Sequence, residues 1–350
     1  MHSNYPDHPP YMPVIKWQKW EKKALENVHS TITSRIKPCL EIRNSQQHVD
    51  ILTSLVSVWA YGCYVDYSDP DGKLTKIDNN GLLVRTRLNE FLEFIDTYYN
   101  LKKIIPTLSP QDFVKLNQTD LNKLQKCTNI AFRLRLNILN VEQSHINVVT
   151  NALTLAHSHG FKVELIVDLR VAPTNFDPNT LKLFSQQLDS LTKIGFTSVR
   201  LLSGAFPDSI ANIKTGSGNY TRNDWLLWEK VTNLIANTKI GYADYGVLAP
   251  TWTEEVLTKR GSKVAIKYTR DKDWLVLRAG GNKSSDSISL SQIFMANHKA
   301  DFKGKGYSYG DDLIEDRANP NVLLKNKKCG HYQITEAWSH HMAFVVIEQY

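Results

Sequence analysis

The 350-residue sequence contains no apolar run near the roughly 18–20 residues that a bilayer-spanning helix needs, so no transmembrane helix and no membrane partner are expected. Its opening, MHSNYPDHPPYMP, lacks the basic start and apolar centre of a signal peptide. Residues 1–12 read instead as an extended arm stiffened by Pro6, Pro9 and Pro10. The four cysteines (Cys39, Cys63, Cys127, Cys329) form no C-x-x-C pair, which excludes a zinc ribbon and argues against a disulfide framework. A reducing, cytoplasmic setting is the expectation. No G-x-G-x-x-G follows the first strand, and no H-E-x-x-H occurs, so a dinucleotide fold and a zinc protease are disfavoured. KTGSGN (214–219) has its lysine ahead of the glycines and reads as a flexible loop, not a phosphate loop. The net charge of +7 has no long basic block behind it, the densest cluster being KNKK at 325–328. A nucleic-acid partner is therefore the lesser expectation.

What is present is a regular alternation. β-branched runs at PVIKW (13–17), IKPCLEI (36–42), GCYVDYS (62–68), KIIPTLS (103–109), NIAFRLRL (129–136), KVELIVDLR (162–170), TSVRLLSGAF (197–206) and IGYADYGVLA (240–249) read as strands. Helical patterns lie between them, the fourth, TDLNKLQKC, being the weakest. Gly160 and Gly195 each close a helical pattern before a strand. Eight such units predict an α/β chain folded as a (β/α)8 TIM-type barrel, one domain over 13–350. Between strand 8 and the last helix, residues 251–337 read as an insertion on the catalytic face. It carries a β-hairpin, KVAIKYT and WLVLRAG around RDKD, then a helical patch and the loop KGKGYSYGDD, whose GDD reads as a turn with an N-cap.

Side chains alternate along a strand, so each run divides into two faces. Ile130, Phe132, Leu134 and Leu136 oppose Arg133 and Arg135; Val163, Leu165, Val167 and Leu169 oppose Glu164, Asp168 and Arg170; Leu40 and Ile42 oppose Glu41 and Arg43. The apolar faces must meet the helices, which turns Lys16, Glu41, Arg133, Arg135, Glu164 and Asp168 inward, with Asp66 and Asp244 expected to join them. That many desolvated charges must pair or stay hydrated. Two readings stay open: an internal ion-pair network, Arg133 and Arg135 beside Glu164 and Asp168, or a hydrated pocket at the strand C-termini. His157 and His159 fall at a helix C-terminus on the opposite face, where they suit the helix dipole, and Cys127 reads as structural.

The terminal SHHMAFVVIEQY reads as the eighth barrel helix, with Ser339 as N-cap and His340 and His341 in its first turn. Adjacent helical residues diverge by about 100°. One histidine is therefore expected at the pocket and the other against the insertion. MAFVVIEQ is β-branched enough to leave a strand as the alternative.

The opening YMPVIKWQKWEKKALENV with IKPCLEI, then VELIVDLR, VRLLSGAFPDSI, TRNDWLLWEKV, YADYGVLAP, IKYTRDKDWLVLRAGG, SYGDDLIED and SHHMAFV, resembles the beta-protein family, named for the beta protein of T-even bacteriophages. The resemblance spans nearly the whole chain and highlights Lys16, Glu41, Asp168, Gly204, Arg222, Trp225, Asp244, Tyr245, Gly246, Tyr268, Arg278, Asp312, His340 and His341. It implies a phage or bacterial antiviral setting without implying a reaction. Taken with the charged strand ends, the expectation is a site for a phosphorylated small molecule or nucleotide, acted on by hydrolysis or transfer. Glu41, Asp168, Asp244, His340 and His341 are the candidate acids and bases. Lys16, Arg135, Arg222, Tyr245, Tyr268 and Arg278 are the candidate substrate-holding set. The carboxylates could bind Mg²⁺. The alternative is a non-catalytic module that recognises nucleic acid or a protein through aromatic residues of the insertion (Trp274, Tyr307, Tyr309).

Overall fold

The computed structural model describes residues 5–43, 50–51, 54–55, 57–98, 103–251, 263–330 and 332–350. Eight parallel strands close into a barrel: β1 (Met12–Lys16), β2 (Cys39–Glu41), β3 (Cys63–Asp66), β6 (Ile104–Leu108), β7 (Asn129–Arg135), β8 (Lys162–Val171), β9 (Ser198–Gly204) and β11 (Ile240–Asp244). Each overlaps an expected run, with β1 starting one residue earlier and β8 ending one residue later, and β1 closes the ring on β11 through Met12↔Ala243 and Pro13↔Asp244. The helices around it are α1 (Lys19–Glu26), α2 (Leu88–Tyr98), α3 (Pro110–Phe113), α4 (Gln118–Leu124), α5 (Gln143–Ser158), α6 (Pro178–Thr192) and α7 (Asn223–Leu234). Of the helical pattern QHVDILTSLVSVW (47–59), residues 47–49, 52–53 and 56 lie outside the described residues. The weak fourth pattern is two short helices, α3 capped by Ser109 and α4 by an Asn117/Asp120 capping box. Gly160, at φ +80°, ends α5 with Phe161 N–H donating to Ala156 O, the αL cap that glycine allows. Among the described residues no helix is long and apolar enough to cross a membrane.

The barrel interior divides along its axis. An apolar waist holds Met12, Val14, Cys39, Ile105, Ala131, Ile166, Leu202 and Ala243, together with the rings of Tyr64 and Tyr245. The outward faces, Leu40, Val65, Phe132, Leu165 and Leu201 among them, belong to the large core under the helices. Charged layers flank the waist at both ends: Lys16, Glu41, Asp66, Arg133 and Asp168 at the strand C-termini, and Lys37, Glu164 and Arg200 at the N-termini. An all-apolar interior would have filled these layers with branched side chains.

The insertion builds a second layer. β12 (Ala265–Thr269) and β13 (Asp273–Arg278) form the expected hairpin, and β10 (Gly216–Thr221) pairs along β13 from Gly216↔Arg278 to Thr221↔Asp273. The KTGSGN segment is thus an edge strand, and not the free loop its composition suggests. Glycine and serine carry little strand propensity; the exposed edge of β13 supplies the hydrogen bonds instead. A hairpin of β4 (Lys76–Ile77) and β5 (Leu83–Val84) was also unexpected from composition. α8 (Ser284–Asn297) and α9 (Tyr309–Ala318) cover the three-stranded sheet around Tyr268, Leu275, Leu277, Phe294 and Ile314.

The last helix, α10 (Tyr332–Phe344), starts seven residues before Ser339 and continues as a π turn over Val345–Gln349. Neither the Ser339 cap nor the strand alternative holds, and the two histidines sit in its last turns. Residues Thr335–Phe344 are buried without interruption, so α10 has no solvent face to show a period. It is wedged between the insertion and α1, where Thr335 Oγ1 donates to Trp20 O at 2.8 Å. α9 approaches it so closely that a Cβ on Gly310 would lie 2.2 Å from Glu336 O. Because that neighbour is backbone, Gly310→Ala is expected to lower stability by roughly 1–3 kcal/mol, the usual range for overpacking. Chemical denaturation would show it, and an unchanged midpoint would contradict the α9–α10 contact.

Candidate functional site

At the strand C-termini one guanidinium organises the interior. Arg133, on β7 and 3% exposed, reaches Glu41 Oε1 at 3.1 Å and Asp66 Oδ2 through Nη1, and donates from Nε to Asp168 Oδ2 at 2.9 Å. Its Nη2 donates to Tyr245 OH at 2.6 Å, and that hydroxyl lies 2.9 Å from Asp168 Oδ2. Arg43 approaches Glu41 Oε2 at 2.7 Å, and Arg135 lies 3.7 Å from Asp168 while donating to Pro70 O. Burial alone would raise the carboxyls of Glu41 and Asp66. Arg43, Arg133 and Lys16 override it for Glu41, and Arg133 for Asp66, so both are held below their ordinary values. The ion-pair reading is therefore met at the mouth by Arg133, Arg135 and Asp168. Glu164 is at the opposite end, bonded to Lys37 and Arg200.

Above this network the expected Lys16 is joined by two residues that sequence reasoning passed over, Lys267 and Glu21. Lys16, at the end of β1, donates to Ala249 O at 3.1 Å, and Lys267 of β12 donates to Val247 O at 3.0 Å, with its amine 4.3 Å from the Phe206 ring. Burial lowers both amines to about 8. Glu21, in the first turn of α1 and 2% exposed, is pushed by burial up to about 7, against the pull of Lys16 and Lys267. Three groups titrating near neutrality thus share one side of the mouth. A signal existed for Glu21: it shares the helical spacing of buried Ala24 and Leu25, an unusual place for a carboxylate. Lys267 carried none, because its hairpin meets the mouth only in the folded chain.

Arg170 marks the same rim. It is the non-glycine residue with positive φ (59°) among the described residues, at a β8 irregularity between Asp168 and Val171. Its N–H donates to Asp168 Oδ1 at 2.7 Å, so the strained turn aims the carboxylate that Arg133 and Tyr245 share.

Other candidates lie elsewhere. Asp244 points outward from β11, because Ala243 and Tyr245 take the inward positions; the expected inward placement is one residue out of phase. It is fully buried and accepts from Tyr11 OH at 2.7 Å and Tyr242 OH at 2.8 Å. His341 Nε2 meets Asp244 Oδ2 at 2.9 Å, and His341 Nδ1 lies 2.9 Å from Thr269 Oγ1. Burial, which outweighs the pull of Asp244, lowers the His341 pKa, so the neutral ring donates to Asp244 and accepts from the threonine hydroxyl. His340 binds Asp311 Oδ2 through Nδ1 at 2.9 Å and Thr269 O through Nε2 at 2.9 Å, stacked 3.7 Å from the Tyr268 ring. Neither histidine faces the mouth; they clasp one residue of the insertion from two sides.

Arg222 is likewise buried behind β11, donating to Gln349 Oε1 at 2.6 Å and Arg270 O at 3.1 Å. Tyr268 OH donates to Asp311 Oδ1 at 2.6 Å within the insertion. Arg278 donates to Ile213 O at 2.8 Å and ties β13 to the segment before β10. Of the expected set, Lys16, Glu41, Arg135, Asp168 and Tyr245 converge on the mouth. Asp244, Arg222, Arg278 and His341 tie the insertion and α10 to the barrel, while Tyr268 and His340 join the insertion to α10. The carboxylates do not fit Mg²⁺: Arg133 occupies the space between Glu41, Asp66 and Asp168, and among the described residues no group of three or more His, Cys, Asp or Glu could hold a metal ion.

A family model described as Beta protein matches residues 11–347. No curated protein matches the chain. Among solved structures, a chitinase from Chromobacterium violaceum is 11% identical, covering 83% of this chain and 91% of that one at a TM-score of 0.28. A D-psicose 3-epimerase from Clostridium cellulolyticum, solved with D-tagatose, is 12% identical, covering 67% and 84% at a TM-score of 0.27. Likeness at this level carries no argument about chemistry.

Two predictions test the mouth. Glu21 binds its proton more tightly folded (about 7) than in its ordinary state (4.5), so its contribution to stability is present below pH 4.5 and lost as pH rises through 7. Glu21→Gln is thus expected to gain on the natural protein across that window, by on the order of 1–3 kcal/mol at pH 8 relative to pH 4.5. Urea unfolding at both values measures it, and a pH-independent difference would refute the buried carboxyl. For Arg170, the αL penalty of about 1 kcal/mol should vanish in Arg170→Gly and persist in Arg170→Ala. Equal losses in both variants would show that no strain is stored there.

Proposed function

We propose a function from the premise that the chain belongs to the Beta protein family and folds as a (β/α)8 barrel: its mouth binds a phosphorylated small molecule, a nucleotide being one such ligand, and acts on it by acid–base chemistry. The observation that carries this reading is a pair of amines, Lys16 buried and Lys267 partly buried, both lowered to about 8 beside a carboxyl at about 7. An amine depressed by burial is a cation short of solvation, and an incoming anion restores what burial removed. Among the described residues of the mouth, Lys16, Arg43, Arg133, Arg135 and Lys267 outnumber Glu21, Glu41, Asp66 and Asp168, and Glu21 is partly protonated at neutral pH.

Within this reading the roles divide by depth. Arg133 is saturated by acceptors and serves as the frame. Lys16, Lys267, Arg43 and Arg135, nearer the rim, are the groups to meet phosphoryl oxygens. Glu21 and Lys16 titrate close enough to pH 7 to exchange a proton with a leaving or attacking oxygen, the requirement of hydrolysis or transfer at a phosphoester. Glu41 and Asp168 act through the arginines they orient. The phage or antiviral setting implied by the sequence resemblance is the biological context in which such a ligand would be sought.

The reading is tested by calorimetric titration of the full chain with nucleotides and sugar phosphates, followed by turnover of any ligand found. Affinity is expected to hold steady from pH 6 to 7.5 and to fall by up to about tenfold per pH unit above 8 as the amines lose their protons. Lys16→Met should remove most of the binding and leave a shallower pH response from Lys267, and Glu21→Gln should impair turnover more than affinity. Affinity that is flat to pH 10 would overturn the amine assignment. Copurified nucleic acid, with no response to phosphorylated small molecules, would favour the non-catalytic binding module.

A further inference from the structure

We propose that the barrel carries a second ligand site at its opposite, N-terminal end, a pocket for a phosphate group borne on a small molecule. A cavity of about 440 Å³ opens there, lined by Pro9, Lys37, Glu164, Ser198, Arg200 and Lys239 among others. Such a volume exceeds what one oxyanion fills and lies in the range of small-molecule pockets. The proposal does not depend on the mouth, from which the apolar waist separates this pocket.

Charge on the pocket floor does not balance. Glu164 is the carboxylate of this buried layer, and its oxygens are already taken. Oε1 accepts from Lys37 Nζ at 3.0 Å; Oε2 accepts from Tyr64 OH and Ser198 Oγ, both at 2.6 Å, and from Arg200 Nη1. One negative charge therefore serves two cations. Arg200 is 1% exposed, yet its Nε has no hydrogen-bond partner. A buried guanidinium short of acceptors is costly, and an anion over the pocket floor would offset the positive charge that Glu164 alone leaves uncompensated. Lys239 on the rim pairs with Asp7 at 3.2 Å, but both side chains are more than half exposed, so that pair is weak and its lysine can turn to a ligand.

The pocket is also pre-formed. A Cβ on Gly241 would lie 2.7 Å from Arg200 Cγ and 3.2 Å from Pro9 Cβ, so β11 leaves out a side chain where the arginine stem crosses. The arm that makes the outer wall is pinned: Tyr350 OH donates to Pro9 O at 2.6 Å, and Tyr5 packs edge-on against Trp228 with ring centroids 4.8 Å apart. The wall therefore needs no ordering when a ligand arrives.

The test is isothermal titration of the full chain at low ionic strength with inorganic phosphate and, separately, glycerol 3-phosphate, using chloride as control. Both are expected to bind, the ester more tightly because it fills more of the cavity. Lys37→Met and Lys239→Ala should each weaken binding by about tenfold, roughly the loss of one charge-assisted contact, and Lys16→Met should leave this component unchanged. Lys239 lies on the exposed rim, so its variant reports even if Lys37→Met fails to fold. Absence of phosphate binding, or binding indifferent to Lys239→Ala and Lys37→Met, overturns the site. Binding lost only in Lys16→Met overturns it while leaving the mouth reading intact.

Discussion

Arg133 is the constraint on which the mouth depends. Its single positive charge is shared among Glu41, Asp66 and Asp168, and its remaining N–H finds the Tyr245 hydroxyl. Those groups come from β2, β3 and β8 and from the residue that follows β11, so the contacts of this β7 arginine span the ring. Burying such a network contributes little net stability, because desolvation offsets most of the attraction. Its physical effect is specificity: any shift of register would leave a carboxylate unpaired in the interior. It also sets the rim, since Arg43 and Arg135 lean on the same acids with part of their donor capacity turned away from them.

The same logic of compensated burial governs the other end of the chain. α10 has no exposed stretch between Thr335 and Phe344, so each polar residue there needs a protein partner. Glu336 meets Arg317, His340 meets Asp311, and His341 meets Asp244. Asp244 joins barrel, insertion and terminal helix at one point, because Tyr11 of the β1 side and Thr269 of β12 reach the same cluster. The insertion is thereby held rigidly enough for Lys267 to be placed against the mouth, which connects a structural clasp to the site it supports.

Between the two charged ends, the waist does what an ordinary barrel core does along its full height. Its thinness explains why so many ionisable groups survive inside one barrel. Each end is close enough to solvent for its excess charge to matter, and the apolar layer keeps the two electrostatic systems apart.

The architecture was legible from local pattern alone. Strand and helix periods, with the glycines that end α5 and α6, are short-range properties, and eight units of them admit essentially one closed arrangement. The inward acids and bases of β2, β7 and β8 were legible for the same reason, since two-residue alternation assigns a face without knowledge of partners. Asp244 was misplaced because an alternating run admits two phases, and only packing against α10 selects one. Glu21, Lys267 and Arg200 passed unnoticed because burial, not residue type, makes them unusual, and burial is a property of the assembled chain. His340 and His341 looked like a catalytic pair because adjacency in sequence is visible, whereas the acceptors that occupy them come from residues 29 to 97 positions away. The sequence by itself determined the barrel and the sign of its lining. Which charges pair, which titrate near neutrality and which remain short of a partner were decided only by tertiary structure, because the energy of a charge depends on the dielectric and the neighbours that folding provides.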